Sequence, residues 1–258
     1  MIIDGHAHIS NSDVGNVDKY IEQLKATGIE AGVTVPGGTL DVRRMTDYII
    51  GRAQPSTKPP DNAYLHKAMD AENGSLFGFY CVNPHESGVA EELAHAFAIG
   101  FRGLKLSPMS HQFSFASKAV AELAEICGEH GFPVYSHVLY NPGASTERYV
   151  SLARKFPRTN FILGHMGFGP ADQDGLQAAI ELDNFFLETS TGSFLHIQLA
   201  ASQAGASKLI FGSEFPLSHP KVELDKILLL DLTDSELDAV LGKNIQELMR
   251  CSVARGAA

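Results

Sequence analysis

Residues 1–8 spell Met-Ile-Ile-Asp-Gly-His-Ala-His, a short apolar run that ends in polar and imidazole side chains. The apolar part predicts a first β-strand over Met1–Asp4, and apolar residues at helical spacing predict a helix over Val17–Ala26. Gly28 stands just beyond that helix, where helices commonly end. The chain therefore opens with one strand and one helix, the unit from which parallel α/β folds are built.

The same unit is predicted eight times along the sequence. The later strands are predicted at Ala31–Val35, Leu76–Val82, Arg102–Leu106, Pro133–Ser136, Asn160–Leu163, Phe185–Leu187 and Leu209–Gly212. Eight strand–helix units in 258 residues predict an α/β fold, a (β/α)8 TIM barrel that forms a single domain over residues 1–258. A doubly wound sheet is the alternative, but the chain lacks the GxGxxG turn that normally follows the first strand of such a sheet.

Composition excludes several classes of protein. The formal net charge is −10, and the basic clusters are short, so a nucleic-acid partner is not expected. The N-terminus lacks the pattern of a signal peptide, and no apolar run reaches the roughly 18 residues of a membrane span. Three scattered cysteines fit neither a disulfide framework nor a CxxC zinc site, so a cytoplasmic location is expected. A homodimer is a possible assembly, since closed homo-oligomers are common.

Histidine and carboxylate side chains stand at the ends of several predicted strands. His6 and His8 are two residues apart on the first strand, so both side chains point to one face and can share a metal ion. The other strand ends carry His137, His165 and Glu214. Because barrel enzymes place their catalytic groups at the carboxyl ends of the strands, these residues are expected to converge at one mouth.

Each of these residues also has an ordinary structural interpretation. His6 and His8 are capping or surface residues in that view, and His137 is a core histidine bonded to a loop. His165 then serves packing at a tight turn, and Glu214 caps the following helix. Lys105, at the end of the fourth strand, is interpreted as a rim or substrate-contact lysine in preference to a carbamylated bridge between two metal ions. The remaining histidines at 66, 85, 95, 130 and 196 are interpreted as surface residues, whereas a substrate contact is open for His111 and His219.

Several motifs together resemble the amidohydrolase superfamily, in particular its amidohydrolase-related branch of small metal-dependent hydrolases and decarboxylases. In chain order they are DGHAH (4–8), CVNPHE (81–86), GFRGLKL (100–106), LGHMG (163–167), FGSEFP (211–216) and LGKNIQELM (241–249). The resemblance covers nearly the whole chain. It implies a mononuclear site with His6, His8 and His137 as metal ligands, Glu214 as a fourth ligand, and His165 as a catalytic histidine beside the metal.

Glu214 departs from the family pattern, in which this position is usually Asp. The extra methylene moves the carboxylate outward by about 1.5 Å, and misplacements of about 1 Å can cost on the order of a hundredfold in rate. Either the barrel has adjusted around the longer side chain or the carboxylate binds differently. Direct ligation by Glu214 is therefore a weaker expectation than ligation by the three histidines, although Glu214 stays in both the metal-ligand and the catalytic set.

Three imidazoles and a carboxylate suit one divalent metal ion, with Zn²⁺ favoured and Mn²⁺, Fe²⁺, Co²⁺ or Ni²⁺ acceptable. Such an ion lowers the pKa of bound water towards about 7. In the expected reaction that water attacks a carbonyl carbon, Glu214 takes its proton, and His165 polarises the carbonyl. Asp4 has the same strand parity as His6 and His8, so it either orients an imidazole or has a structural role inside the barrel.

The substrate is expected to be a small molecule, with a carboxylate as one option. The loop after the second strand carries Arg43, Arg44, Arg52 and Lys58, which would pair with a carboxylate, although a solvated basic loop is as reasonable. The leading hypothesis is a metal-dependent hydrolase of a lactone, ester or amide. The alternatives are a non-oxidative decarboxylase of an unsaturated or aromatic carboxylate, and a non-catalytic barrel.

Overall fold

The structure is a computed structural model that describes residues 1–38, 41–54, 58–72 and 74–251. Pro55, in the predicted basic loop, lies outside the described residues. The described strands are β1 Ile3–Ile9, β2 Ala31–Pro36, β3 Leu76–Gly78, β4 Tyr80–Cys81, β5 Leu104–Leu106, β6 Val134–Ser136, β7 Phe161–Leu163, β8 Phe185–Glu188 and β9 Leu209–Ile210.

The helices lie between and after these strands. They are α1 Val17–Thr27, α2 Met45–Ile49, α3 Asn62–Ala71, α4 Val89–Ala98, α5 Pro108–His111, α6 Lys118–His130, α7 Thr146–Lys155, α8 Gln173–Glu181, α9 Phe194–Gln203, α10 Pro220–Leu228, α11 Asp234–Asp238 and α12 Asn244–Met249. Among the described residues, no helix is long and apolar enough to cross a membrane.

Local sequence signals set several helix ends, including the one predicted at Gly28. Gly28 ends α1 in the left-handed conformation, with φ of 72°, which a residue without Cβ adopts at little cost. Asp61 caps α3 by accepting a hydrogen bond from Tyr64 N at 2.9 Å. Thr233 and Glu236 form a reciprocal capping box at the start of α11.

All strand pairs are parallel, and the order follows the chain. Backbone hydrogen bonds between neighbouring strands form one sheet in the order β1-β2-β3 and a second sheet in the order β4-β5-β6-β7-β8-β9. The predicted third strand, Leu76–Val82, is divided at Phe79, and its halves belong to different sheets. Phe79 N donates to Thr34 O at 3.0 Å, which joins the two sheets at this point. The predicted α/β barrel architecture is thereby confirmed, with its third strand in two pieces.

The first strand also joins the last part of the barrel. Gly5 N donates to Phe211 O at 2.8 Å, and His8 N donates to Phe215 O at 2.7 Å. A Cβ on Gly5 would lie 2.7 Å from Phe211 O, so the close approach requires glycine here. On its other side β1 pairs with β2 as far as Ile9, so His6 and His8 lie within the strand, beyond the end predicted at Asp4.

The interior holds two hydrophobic groups. A larger one packs the helices onto the outer face of the strands. A smaller one fills the barrel and includes Ile3, Val33, Phe79, Tyr135 and Ile162, all fully buried. This filled barrel leaves the polar side chains at the carboxyl ends of the strands, where the candidate site lies.

Candidate metal centre and active site

The two β1 histidines and Glu214 form the centre of the site. His6 Nε2 lies 3.0 Å from Glu214 Oε2, and His8 Nε2 lies 3.5 Å from Glu214 Oε1. One ligand-type atom from each of the three residues lies within 4.8 Å of the other two. A strand that places alternate side chains on one face thus presents both imidazoles to one carboxylate.

Glu214 is held in place by its backbone. The amides of Ser213 and Glu214 both donate to His6 O, at 3.2 and 2.8 Å. Glu214 has φ of 54°, a left-handed conformation that costs a non-glycine residue free energy. His165 is similar, with φ of 62°. Both residues were predicted to be functional, and both occupy strained backbone positions that aim their side chains at the same space.

His165 and His137 complete the group of imidazoles. His165 Nε2 lies 3.9 Å from Glu214 Oε2, while His165 Nδ1 lies 3.0 Å from the Ser190 hydroxyl. The ring centroids of His137 and His165 are 6.5 Å apart. His137 follows β6 at the same mouth, but it is not among the three residues whose ligand atoms lie within 4.8 Å. Its ligation therefore stays a prediction.

Glu188 is a buried carboxylate that the sequence analysis missed. It accepts hydrogen bonds from the Tyr135 hydroxyl at 2.7 Å, His165 N at 3.2 Å, Ser190 N at 2.6 Å and the Ser190 hydroxyl at 3.0 Å. Ser190 therefore links the carboxylate of Glu188 to the ring of His165. The predicted strand over Phe185–Leu187 ended one residue too early, and a charged residue directly after an apolar strand was the available signal.

Lys105 is buried rather than on the rim. Lys105 is 2 % exposed, and its Nζ lies 4.2 Å from the centroid of the Tyr135 ring. Within the described parts of the chain, Nζ has no hydrogen-bond partner. Burial lowers the pKa of Lys105 to about 8, against the opposing attraction of Glu214, Cys81 and Glu188.

Burial also keeps the imidazoles neutral. It lowers the pKa of His8 to about 3, although Glu214 opposes the shift. It lowers the pKa values of His6 and His137 well below the ordinary value, and the charge of Lys105 adds to both effects. For Glu214, burial raises the pKa, but attraction to nearby basic side chains, His165 foremost, outweighs it and lowers the pKa below its usual value. The result is three neutral imidazoles beside an ionised carboxylate.

We call His6, Lys105, His137 and Glu214 the open cluster. Each has a buried side-chain nitrogen or oxygen without a hydrogen-bond partner among the described residues, as do His111 and His196 outside this cluster. His6 Nε2 and Glu214 Oε2 are close but lack the geometry of a hydrogen bond. Leaving such groups unpaired costs free energy. Neutral imidazole nitrogens and a carboxylate are ligands that divalent transition metals accept, so the residues present fit a metal ion.

A second set of buried polar groups begins two residues before His6 on β1. We call Asp4, Tyr20 and Ser213 the closed cluster. Asp4 accepts hydrogen bonds from His6 N at 3.1 Å, the Tyr20 hydroxyl at 2.8 Å, Ser213 N at 2.8 Å and the Ser213 hydroxyl at 2.5 Å. Of the two roles considered for Asp4, the structure supports the structural one, because its partners join β1 to α1 and to the end of β9.

Three residues of the open cluster, Lys105, His137 and Glu214, line a cavity of about 810 Å³. Lys105, His137, His165 and Glu214 line its polar side, and apolar lining residues include Val138, Leu139, Met109 and Phe168. A cavity of this size and mixed lining is typical of a site for a small organic molecule.

The basic loop after β2 is largely neutralised by its own carboxylates. Arg43 forms two hydrogen bonds of 2.8 Å with Asp41, while Arg44 and Arg52 lie 3.5 and 3.0 Å from Asp47. Arg43 lines the cavity, but its side chain is 85 % exposed. The interpretation as a solvated loop therefore fits these arginines better than recognition of a buried carboxylate.

The other histidines differ in burial and in position. His85, His95 and His130 are exposed as predicted, and His66 is half-buried. His196 is 2 % exposed, so its prediction as a surface residue was wrong, because the helical pattern did not show that α9 packs this side chain inward. His111 lines the cavity, whereas His219 caps α10 by accepting a hydrogen bond from Lys221 N.

Comparison with solved structures shows what this fold is similar to. A 2,6-dihydroxybenzoate decarboxylase in complex with 2,6-dihydroxybenzoate superposes with a TM-score of 0.71 at 16% identity, covering 97% of this chain and 98% of that chain. A probable 2-pyrone-4,6-dicarboxylic acid hydrolase from Acinetobacter baumannii, with citric acid bound, gives 0.69 at 16% identity, covering 97% and 99%. A 5-carboxyvanillate decarboxylase from Novosphingobium aromaticivorans, with bound manganese, gives 0.71 at 13% identity, covering 97% of each chain.

Sequence comparison identifies the family. No curated protein matches the chain. The sequence profile of a family described as Amidohydrolase matches residues 3–250, which include every motif that carried the resemblance. The chain therefore belongs to this amidohydrolase family.

Proposed function

We propose that the protein is a metal-dependent hydrolase that cleaves a lactone, ester or amide bond of a small, carboxylate-bearing molecule. The observation that carries the proposal is the open cluster, whose unpaired atoms include Glu214 Oε2 and whose residues Lys105, His137 and Glu214 line the cavity. Such atoms are expected where a ligand completes the site.

His6, His8, His137 and Glu214 are the residues that would hold the ion. A bound divalent ion supplies Lewis acidity and makes water acidic enough to react near neutral pH. Zn²⁺ is our first choice for this donor set, and Mn²⁺ is the next, since availability often decides between such metals.

Glu214 and His165 have different roles in proton transfer. Glu214 is ionised and lies at the cavity wall, so its carboxylate accepts the proton of the attacking water and returns it to the leaving oxygen or nitrogen. His165 directs Nε2 towards the same space and donates to the carbonyl oxygen as negative charge develops there. The other ring nitrogen of His165, Nδ1, is hydrogen-bonded to the Ser190 hydroxyl, which donates to Glu188.

Non-oxidative decarboxylation is the second candidate. Its support is the apolar wall of the cavity, since Val138, Leu139 and Phe168 would pack against an aromatic or unsaturated ring. In that reaction a protonated Glu214 would deliver its proton to the ring carbon from which carbon dioxide leaves. The ionised state of Glu214 favours hydrolysis, where the carboxylate starts as a base.

Elemental analysis of the purified protein tests the metal. We expect about one equivalent of zinc or manganese in the wild type and its loss in His137→Ala. His95→Ala is the matched control, because His95 is exposed on α4. Two equivalents would bring Lys105 into the ligand set, and an absence of metal after loading would contradict the proposal.

A paired assay separates the two reactions. The metal-loaded protein is incubated with a panel of lactones, esters and hydroxybenzoates in water enriched in oxygen-18. Hydrolysis places the label in the product carboxylate, whereas decarboxylation releases carbon dioxide and leaves the product unlabelled. Metal binding without turnover of any compound would favour a non-catalytic barrel.

A further inference from the structure

Glu223 is a buried carboxylate outside the candidate site, in the first turn of α10. Its Oε1 accepts a hydrogen bond from the Ser218 hydroxyl at 2.7 Å, and its Oε2 accepts one from Thr191 N at 2.9 Å. The Lys226 ammonium lies 2.5 Å from Oε2 and also donates to Gly192 O at 2.9 Å. The side chain of Glu223 thereby joins α10 to two segments of the chain, one after β8 and one after β9.

Each of these segments supports a residue of the candidate site. The segment after β8 includes Ser190, one residue before the amide that Glu223 binds, and the Ser190 hydroxyl is hydrogen-bonded to His165 Nδ1 at 3.0 Å. In the segment after β9, Ser218 closes the turn that begins at Glu214, because Ser218 N donates to Glu214 O at 3.2 Å. Glu223 therefore links the support of His165 to the backbone of Glu214.

Both segments have backbone conformations that depend on their surroundings. Thr191 and Glu214 each have φ of 54°. This left-handed region costs a non-glycine residue free energy, and it is most unusual for a β-branched residue such as Thr191. Such conformations persist where neighbouring groups hold them, and Glu223 supplies one hydrogen bond to each segment.

We propose that Glu223 is a positioning residue that fixes His165 and Glu214 relative to each other. The two side chains follow different strands, and His165 Nε2 lies 3.9 Å from Glu214 Oε2. Their separation therefore depends on contacts that connect the two segments. A consequence for metal binding rests on the proposed function, in which Glu214 is a ligand: groups that orient a ligand typically change metal affinity by roughly 10- to 100-fold.

Binding of Co²⁺ tests this consequence. Glu223→Gln keeps the size of the side chain but replaces one of the two accepting oxygens by an NH2 group. We expect Co²⁺ to bind this variant roughly tenfold more weakly than the wild type, with a changed visible spectrum, because a ligand has moved. In a Glu214→Gln background the same substitution should have no further effect on Co²⁺ affinity, since both changes act on one ligand.

Asn184→Ala is the matched control for the loss of buried hydrogen bonds. Asn184 Nδ2 donates to three backbone carbonyl oxygens at the amino end of β8, the end opposite the site. This variant should be less stable than the wild type but should bind Co²⁺ with unchanged affinity and spectrum. Ser218→Ala removes only the bond on the Glu214 side and tests the same effect if Glu223→Gln does not fold.

Three results on the metal-binding side would overturn the proposal. The first is unchanged Co²⁺ affinity in both Glu223→Gln and Ser218→Ala. The second is an equal loss of affinity in Glu223→Gln and Asn184→Ala, and the third is additivity of the Glu223→Gln and Glu214→Gln effects.

Hydrogen exchange of the chelator-treated protein separates this proposal from the proposed function. In Glu223→Gln we expect the amides of residues 189–192 and 214–218 to exchange faster than in the wild type, whereas Asn184→Ala should leave these segments unchanged. Unchanged exchange in both segments of Glu223→Gln would overturn the proposal at any metal content. A wild type that binds no metal, together with faster exchange in Glu223→Gln, would refute the proposed function and leave Glu223 as the residue that positions His165 and Glu214.

Discussion

The open and closed clusters lie at neighbouring positions of β1, and their buried polar atoms are satisfied to opposite degrees. In the closed cluster, Asp4 accepts four hydrogen bonds. In the open cluster, two residues further along the strand, His6 has both ring nitrogens buried without hydrogen bonds to the described residues. The same strand can evidently position donors for a buried carboxylate, so the unpaired atoms are not a failure of packing. The difference indicates that one cluster holds the barrel together and the other is kept for a ligand.

Replacing the carboxylate of the open cluster should have the largest effect on activity. Glu214→Gln keeps the size of the side chain but removes its basicity, so we expect kcat to fall by roughly 10²- to 10⁴-fold. Glu181→Gln, on the exposed face of α8, is the control and should retain full activity. Steady-state kinetics on the substrate found in the screen measures both. Equal activity of the two variants would remove Glu214 from the mechanism.

The corresponding change in the closed cluster should affect stability. Asp4→Asn places an amide where Asp4 now accepts from four donors, and we expect a loss of about 3 kcal/mol in the free energy of unfolding. Urea unfolding of the metal-free variant and of the metal-free wild type measures this loss. A stable Asp4→Asn variant with impaired metal binding would show that the two clusters do not have separate roles.

Removal of the metal should provide a further way to distinguish the two clusters. A metal that binds only the folded protein stabilises it by about 2.7 kcal/mol when present at 100 times its dissociation constant. Chelation should therefore lower the unfolding midpoint of the wild type and of Asp4→Asn, but not that of His137→Ala. Differential scanning calorimetry with and without chelator makes the comparison. An equal response in all three proteins would mean that the metal binds elsewhere.

Glu188 shares a property with each cluster. Its carboxylate accepts four hydrogen bonds, as that of Asp4 does, but it also helps to orient His165 in the site. Glu188→Gln should leave the metal content unchanged and lower kcat by roughly 10- to 100-fold, because groups that orient a functional histidine have effects of this size. KM should change little, since Glu188 does not line the cavity. A fall in stability with unchanged kcat would make Glu188 a purely structural residue.

The alternation of strands and helices could be predicted from the sequence, but the burial of individual side chains could not. Apolar runs and helix stops such as Gly28 act locally, so they showed the strand–helix order. Burial depends on which helix or strand lies opposite. For that reason Lys105 was expected on the rim or in contact with substrate, and His196 on the surface, although both are almost fully buried.

The residues of the candidate site show the same difference between what could and could not be predicted. The histidines and Glu214 were found because strand ends converge in a barrel. Glu188 was missed because its role depends on Tyr135 and Ser190, which lie 53 and 2 residues away and meet it only in the folded chain. The division of the third strand at Phe79 was also invisible, since its apolar pattern runs through without interruption.

The pairing of β1 with the residues after β9 has a consequence for how the protein matures. Asp4 and Ser213 are 209 residues apart, so their contact closes nearly the whole chain into one loop. His6 and His8 come from one side of that closure and Glu214 from the other. Loop closure of this length carries an entropic cost that earlier, shorter contacts reduce. A chain that ends before Glu214 therefore lacks one of the four proposed ligands, and the ability to retain a metal ion would report that β1 and the segment after β9 have met.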